Sequence, residues 1–212
     1  GEPAVATLTN LVFKDAKLTA SDGEPEDYFG QSIAISGDTI VIGGGSSFYN
    51  DKPGSVYIFV RPQGGWATTP HYTAKLTASD GTARDYFGGS VAISGDTVVV
   101  GAYGAESVYV FVKPANGWKS TSTYAAKLTT LGGAKLFGSS VVLKGDTVAV
   151  GAPQDDVGDN YDQGAVYIFD KPSDNWITTS NYTARLTAQD GTLNDHFGGS
   201  VAMTDDTIVV GA

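Results

Sequence analysis

Short bursts of alternating apolar and polar residues run along the chain, and they recur in a fixed order. From Phe87 the chain reads FGGSVAISGDTVVVGA; it reads FGQSIAISGDTIVIGG from Phe29, FGSSVVLKGDTVAVGA from Phe137 and FGGSVAMTDDTIVVGA from Phe197. The starts lie 58, 50 and 60 residues apart. Within one copy, Ser90–Ile93 predicts a short strand of small and apolar residues. Gly95–Asp96 predicts a two-residue hairpin turn, matched by Gly37–Asp38, Gly145–Asp146 and Asp205–Asp206, residue types that tolerate positive φ. Thr97–Val100 is a β-branched run suited to a strand covered on both faces. After a variable loop comes a third strand, Ser107–Val112, paralleled by Val56–Phe59 and Val166–Phe169. A turn carrying Trp66, Trp118 or Trp176 leads to a fourth, Tyr72–Thr77, with counterparts from Tyr124 and Tyr182. No helical period of 3.6 residues is found.

Four antiparallel strands repeated at this pitch predict the blades of an all-β propeller, with about four repeats visible. The whole chain, residues 1–212, reads as one propeller domain or segment, with repeats starting near 29, 87, 137 and 197. Residues 13–20, FKDAKLTA, match a fourth strand without the three that should precede it, and the last copy holds only two strands. Two arrangements accommodate these ends. In a closed four-blade ring, residues 1–20 would complete the last blade, although residues 4–10 match a third strand poorly. Alternatively the chain is part of a larger ring.

Composition narrows the function classes. Hydrophobic residues make up 41% and charged residues 17% of 212, an ordinary balance for one globular domain. The 28 glycines fall at repeat positions, so they mark turns and not disorder. No apolar run is long enough to span a bilayer, and no signal peptide is read at the N-terminus. With no cysteine, thiol catalysis, disulfides and Cys-based zinc sites are excluded. A formal net charge of −10 would repel a phosphate backbone, so nucleic acid is not an expected partner.

Phe-Gly opening each inner hairpin, followed by Val150-Gly151-Ala152-Pro153 in the third copy, resembles the FG-GAP repeat of integrin α-subunit propellers and of many bacterial and algal surface proteins. The resemblance covers nearly the whole chain. It implies a ring of about seven blades and a cell-surface or extracellular binding role. It also implies a DxDxDG calcium loop between the first two strands of some blades, but these copies carry only tight Gly-Asp or Asp-Asp turns there. Such turns cannot supply the six to eight oxygens that calcium takes, so that site is not transferred.

Two other acidic places are candidates. The loop from Gly151 to Asp162 holds Asp155, Asp156, Asp159 and Asp162 beside Asn160 and Gly158, an oxygen-rich composition that suits calcium or leaves a merely solvated loop. Ahead of each Phe-Gly stand Asp22 with Asp27, Asp80 with Asp85, and Asp190 with Asp195; copy three has Leu131 and Lys135 instead. Joint loss of both acids marks a coupled pair, joined through a cation or through a self-bonded Asp-Gly turn. The in-phase tryptophans offer either faces for sugar stacking or covers for the blade edges. His71 and His196 occupy different repeat positions with no nucleophile motif nearby, so no catalytic triad is expected. Asn181-Tyr182-Thr183 is an N-glycosylation sequon.

The expected function is a non-catalytic binding or adhesion propeller, extracellular or at the cell surface. It would present its loops at 45–54, 103–106 and 153–164 to a protein or glycan partner. The alternative is a structural subunit of an extracellular filament or sheath that self-assembles through open strand edges.

Overall fold

The β-branched run of each of the first three copies forms a largely buried strand, and the rest of a blade is laid down around it. The structure, a computed structural model, describes residues 16–44 and 52–212. Blade 1 comprises β1 (Phe29–Ser36), β2 (Thr39–Gly44), β3 (Ser55–Val60) and β4 (Ala74–Leu76). Blade 2 comprises β5 (Phe87–Ser94), β6 (Thr97–Ala102), β7 (Ser107–Val112) and β8 (Ala126–Leu128). Blade 3 comprises β9 (Ser140–Lys144), β10 (Thr147–Ala152), β11 (Ala165–Asp170) and β12 (Ala184–Leu186). Blade 4 contributes β13 (Ser200–Met203) and β14 (Ile208–Gly211). Strands in each blade pair in chain order, all antiparallel.

Hairpin turns at Gly37, Gly95 and Gly145 adopt positive φ, 55 to 57°. Blade 4 departs from this pattern. Neither Asp205 nor Asp206 enters the left-handed region; the Asp206 carboxylate instead accepts hydroxyl bonds from Thr204 and Thr207, at 2.9 and 3.0 Å. The first strands of blades 1 and 2 are longer than expected. They start at the Phe-Gly itself and absorb it as an irregularity before Ser32 and Ser90. The fourth strands are shorter, three residues each, because only Ala-Lys-Leu or Ala-Arg-Leu pairs with the third strand.

Adjacent blades are joined at three levels. At the inner end, the hydroxyls of Ser32, Ser90 and Ser140 each donate to the carbonyl of the next blade's Phe-Gly glycine (Gly88, Gly138 and Gly198) at 2.7 Å. That carbonyl rests on a glycine of the second strand: a methyl group added at Gly43, Gly101 or Gly151 would collide with it. At the opposite end of the inner strands, Ser36 and Ser94 accept from the backbone N–H groups of Gly95 and Gly145. At the outer rim the fourth strands of blades 1 and 2 pair in parallel with the tryptophan turn of the next blade, Leu76 with Thr121 and Leu128 with Thr179.

Between these joints lies the core. Phe87, from the start of blade 2, is fully buried against Val41, Val56 and Ile58 of blade 1 and Tyr109, Phe111 and Trp118 of its own blade. Phe137 repeats the arrangement one blade on. Burial of such a ring contributes about 2–3 kcal/mol.

Inner strands pack in sequence, β1 on β5, β5 on β9 and β9 on β13, and blade 4 does not return to blade 1. The closed four-blade ring is therefore not the observed arrangement; the blades form an open arc. Leu18 pairs with Thr69 as Leu76 does with Thr121, which places residues 17–19 in the fourth-strand position of a preceding blade. Residues 1–15, including the third strand sought at 4–10, and residues 45–51 lie outside the described residues.

Ser90→Ala should cost about 1 kcal/mol, the net worth of one hydrogen bond. Gly101→Ala should cost about 3 kcal/mol or more, because both Ser90 Oγ and the Gly138 carbonyl must move. Chemical denaturation of the two variants tests the ordering.

Candidate functional site

Antiparallel order sends every second-to-third-strand loop and every blade-to-blade connection to one face, here called the upper face. Just beneath it, the third- and fourth-strand pairs place Tyr57 opposite Lys75, Tyr109 opposite Lys127 and Tyr167 opposite Arg185. Each cation lies 5.0–5.7 Å from its tyrosine ring centroid. In blades 1 and 2 the lysine reaches up to the connection, Lys75 to Asp22 at 2.6 Å and Lys127 to Asp80 at 2.7 Å. Burial works against the charge on Lys75 and Lys127, but their bonds to the Asp22 and Asp80 carboxylates outweigh it and raise both above the ordinary lysine value. Asp22 and Asp80 respond in the other direction: partial burial opposes their ionisation, yet the lysine bonds hold them below the usual carboxylate range.

Blade 3 solves the same problem with different residues. Leu131 replaces the connection's aspartate, and Asp155 from the 153–164 loop takes its place. Its carboxylate accepts from Arg185 at 2.6 Å and from the Tyr167 hydroxyl at 2.6 Å. Burial first, then the hydrogen bond to Asp155, pushes the Tyr167 hydroxyl well above its ordinary value. The second lost acid is also offset. Lys135, at the position of Asp27, Asp85 and Asp195, bonds Asp156 at 2.9 Å and lies 3.7 Å from Asp162.

These contacts make the 153–164 loop a braced platform. Asp156 accepts from the Asp162 backbone, Gln163 donates to the Ala188 carbonyl, and Asn160 donates to Gln163 and to the Gly191 carbonyl. Asn194, His196 and Phe197 donate their backbone N–H groups to Tyr161, Asp162 and Gln163. At the crest, Tyr161 is 66% and Leu193 54% exposed, on the two segments that the Asn194–Tyr161 bond joins. Asp159 and Asp190 are exposed beside them without an ion-pair partner among the described residues. In blade 2 the corresponding loop is a single 3-10 turn, Tyr103–Ala105, and Tyr103 stacks on Tyr86 with ring centroids 4.7 Å apart.

The FG-GAP repeat family matches residues 12–59, 71–111, 123–169 and 181–212. This chain belongs to that family. Among curated proteins none matches it. Its fold is similar to that of Sqt1 from Chaetomium thermophilum (TM-score 0.53, 16% identity, 85% of this chain and 41% of that one). It is also similar to Kluyveromyces lactis Hsv2 (0.52, 12%, 86% and 52%). The WD40 domain of Toxoplasma gondii coronin matches at 0.50 and 15%, over 83% of this chain and 38% of that one. At such identities the likeness shows the propeller fold alone, and the chain spans about two fifths to a half of those proteins.

The remaining predicted residues of this FG-GAP chain separate. Asp155, Asp156 and Asp162 are engaged with Arg185 and Lys135, and among the described residues no three acidic or histidine side chains group so as to hold a metal ion. Asp27, Asp85 and Asp195 bond the backbone N–H groups of Glu24, Thr82 and Thr192 inside their own turns, Asp27 also pairing with Lys52 at 2.9 Å, while Asp22 and Asp80 reach the fourth-strand lysines. The two acids of a connection thus serve different partners. Trp118 and Trp176 are buried in the cores at the blade edge. His71 lies in the lower tryptophan turn and His196 on the upper face with Nδ1 3.2 Å from the Pro153 carbonyl, so the two histidines do not meet. Asn181 is exposed in the tryptophan turn of blade 3. Arg185 was not singled out from the sequence, and Lys135 only as the replacement for a lost acid. Their signal was present: Arg185 stands at the repeat position of Lys75 and Lys127, and Lys135 at that of Asp27, Asp85 and Asp195.

Asp155→Ala should cost about 2 kcal/mol, since Arg185 and Tyr167 lose their shared acceptor. Leu131→Asp in that background should recover part of the loss by restoring the blade-1 arrangement. For the Asp22–Lys75 and Asp80–Lys127 pairs, the depressed carboxylates contribute stability above 3.8 that is lost as pH falls through their lower folded values. The raised lysines contribute below 10.5 and lose that contribution at higher pH. Melting curves across pH should therefore fall at both extremes, and more shallowly on the acid side once Asp22 and Asp80 are both changed to Asn.

Proposed function

We propose that this chain is a non-catalytic binding propeller that works outside the cell or at its surface, engaging a protein or glycan partner through the upper face of blades 3 and 4. The observation that carries this reading is the braced 153–164 loop with Tyr161 and Leu193 held exposed at its crest. An ordered loop presenting apolar and aromatic side chains loses little entropy on binding, which is what a recognition surface requires. Membership of the FG-GAP family supports the surface location, and the acidic balance of the chain suits it. The exposed sequon at Asn181 lies on a lower turn, so a glycan there would leave the upper face clear.

The test is a binding screen of the labelled protein against immobilised matrix proteins and a glycan panel. Tyr161→Ala with Leu193→Ala should weaken any selected interaction by about tenfold or more while leaving the thermal melt unchanged. Undiminished binding by the double variant would remove the upper face of blades 3 and 4 from the reading. Expression through a eukaryotic secretory pathway should give an endoglycosidase-sensitive band that Asn181→Gln abolishes.

A further inference from the structure

We propose that the lower outer rim of blade 2 binds a short extended peptide segment of a protein partner, one that carries a carboxylate, by adding it to the uncovered end of β7. This goes beyond the upper-face reading and rests on different residues, in a blade with a neighbour on both sides.

The opening comes from unequal strand lengths. β7 runs over six residues and β8 over three, so only Val108, Tyr109 and Val110 of β7 are paired on the outer side. Along an antiparallel ladder, successive residues turn their N–H and C=O groups to opposite sides. Val110 turns outward, because its carbonyl accepts from the Ala125 N–H at 2.8 Å; Lys113 turns inward and donates to the Asp96 carbonyl at 2.8 Å. Val112 therefore presents its backbone N–H and C=O outward, beyond the reach of β8, and the residue is 46% exposed. Beside it lies a cavity of about 460 Å³ walled by Val112, Trp118, Lys119, Thr123 and Tyr124. That size falls in the range of small-ligand sites.

The other blades show how such an edge is closed. Blade 1 has a similar cavity of about 410 Å³, but there the Thr73 hydroxyl accepts from the Val60 N–H at 3.0 Å and satisfies the donor. In blade 3 Asp170 stands in the place of Val112, its carboxylate accepting from the Thr147 hydroxyl at 2.7 Å. A charge on an edge strand discourages pairing. Blade 2 has neither device. Ala125 replaces the threonine, and no acceptor among the described residues meets the Val112 N–H. A peptide carbonyl would supply that acceptor, and a peptide N–H would donate to the Val112 carbonyl, as when a strand is added to a sheet edge.

Charge selects the class of peptide. Lys119 is exposed and has no ion-pair partner among the described residues, whereas its counterparts are the uncharged Ala67 and Ile177. A carboxylate on the peptide would meet Lys119 at the cavity wall, and Val112 and Tyr124 would cover an apolar side chain beside it.

The experiment uses the whole chain and short fluorescent peptides of alternating valine and threonine, with glutamate, glutamine or lysine at one position. Anisotropy follows binding, and hydrogen exchange follows the Val112 amide. The expected result is saturable binding of the glutamate peptides, with exchange at Val112 slowed about tenfold or more. Lys119→Glu should weaken the glutamate peptides about tenfold and favour the lysine ones, a reversal that loss of stability cannot produce. Ala125→Thr, which copies the blade-1 cap at an exposed position, should weaken every peptide about tenfold without lowering the melting temperature. Tyr161→Ala with Leu193→Ala should leave this binding unchanged, so the failure of either site is separable from that of the other. Absence of binding by the glutamate peptides, unchanged exchange at Val112, or equal binding by the Ala125→Thr protein would each overturn the proposal. So would protection of Val112 by free sugars in place of the peptides, which would make the rim a glycan site.

Discussion

A serine hydroxyl reaching across to a glycine carbonyl, with a second glycine directly beneath that carbonyl, sets the spacing between neighbouring blades. The approach is so close that no side chain fits under it, which is why Gly43, Gly101 and Gly151 follow their valine or isoleucine without exception. Closing the backbones to this distance brings Phe87 and Phe137 into full burial and lets the fourth strands meet the tryptophan turns at the rim. The Phe-Gly motif is thus a packing instruction between blades: phenylalanine fills the core and glycine supplies the carbonyl. Each blade buries its faces only against its neighbours, as in other repeat architectures.

The upper face follows a second rule, that a cation partly buried beside a tyrosine must find a carboxylate. Blades 1 and 2 meet it with an aspartate from the connecting segment. Blade 3 meets it with Asp155, and the substitution has a structural consequence. By recruiting Asp155 for Arg185 and Asp156 for Lys135, blade 3 ties a long loop to the body of the propeller and orders it. A loop that composition alone would read as solvated or cation-binding becomes a rigid surface through ion pairs that elsewhere hold only the scaffold.

Junctions and surface divide the work between them. Residues that repeat without change, such as the serine, the paired glycines and the phenylalanine, set the geometry. Residues that vary between copies, such as Leu131, Lys135 and the 153–164 loop, alter what the arc displays. The fold tolerates the second kind because none of them touches the serine–glycine joint.

The four-stranded blade, its hairpin turns, the buried second strand and the membership of one repeat family were all legible in the sequence, because alternation with period two and a recurring Phe-Gly are local signals that need no knowledge of neighbours. The joint loss of Asp at 131 and 135 was legible as coupling, but not its resolution. Asp22 and Asp27 look like a pair in sequence, yet one reaches the fourth-strand Lys75 while the other closes its own turn and meets Lys52. Which carboxylate of 155, 156, 159 and 162 faces inward depends on where Arg185 and Lys135 stand in space, and strand pairing decides that. Whether four blades close or remain an arc was likewise beyond the sequence, since closure depends on the angle at which each serine–glycine joint sets the next blade.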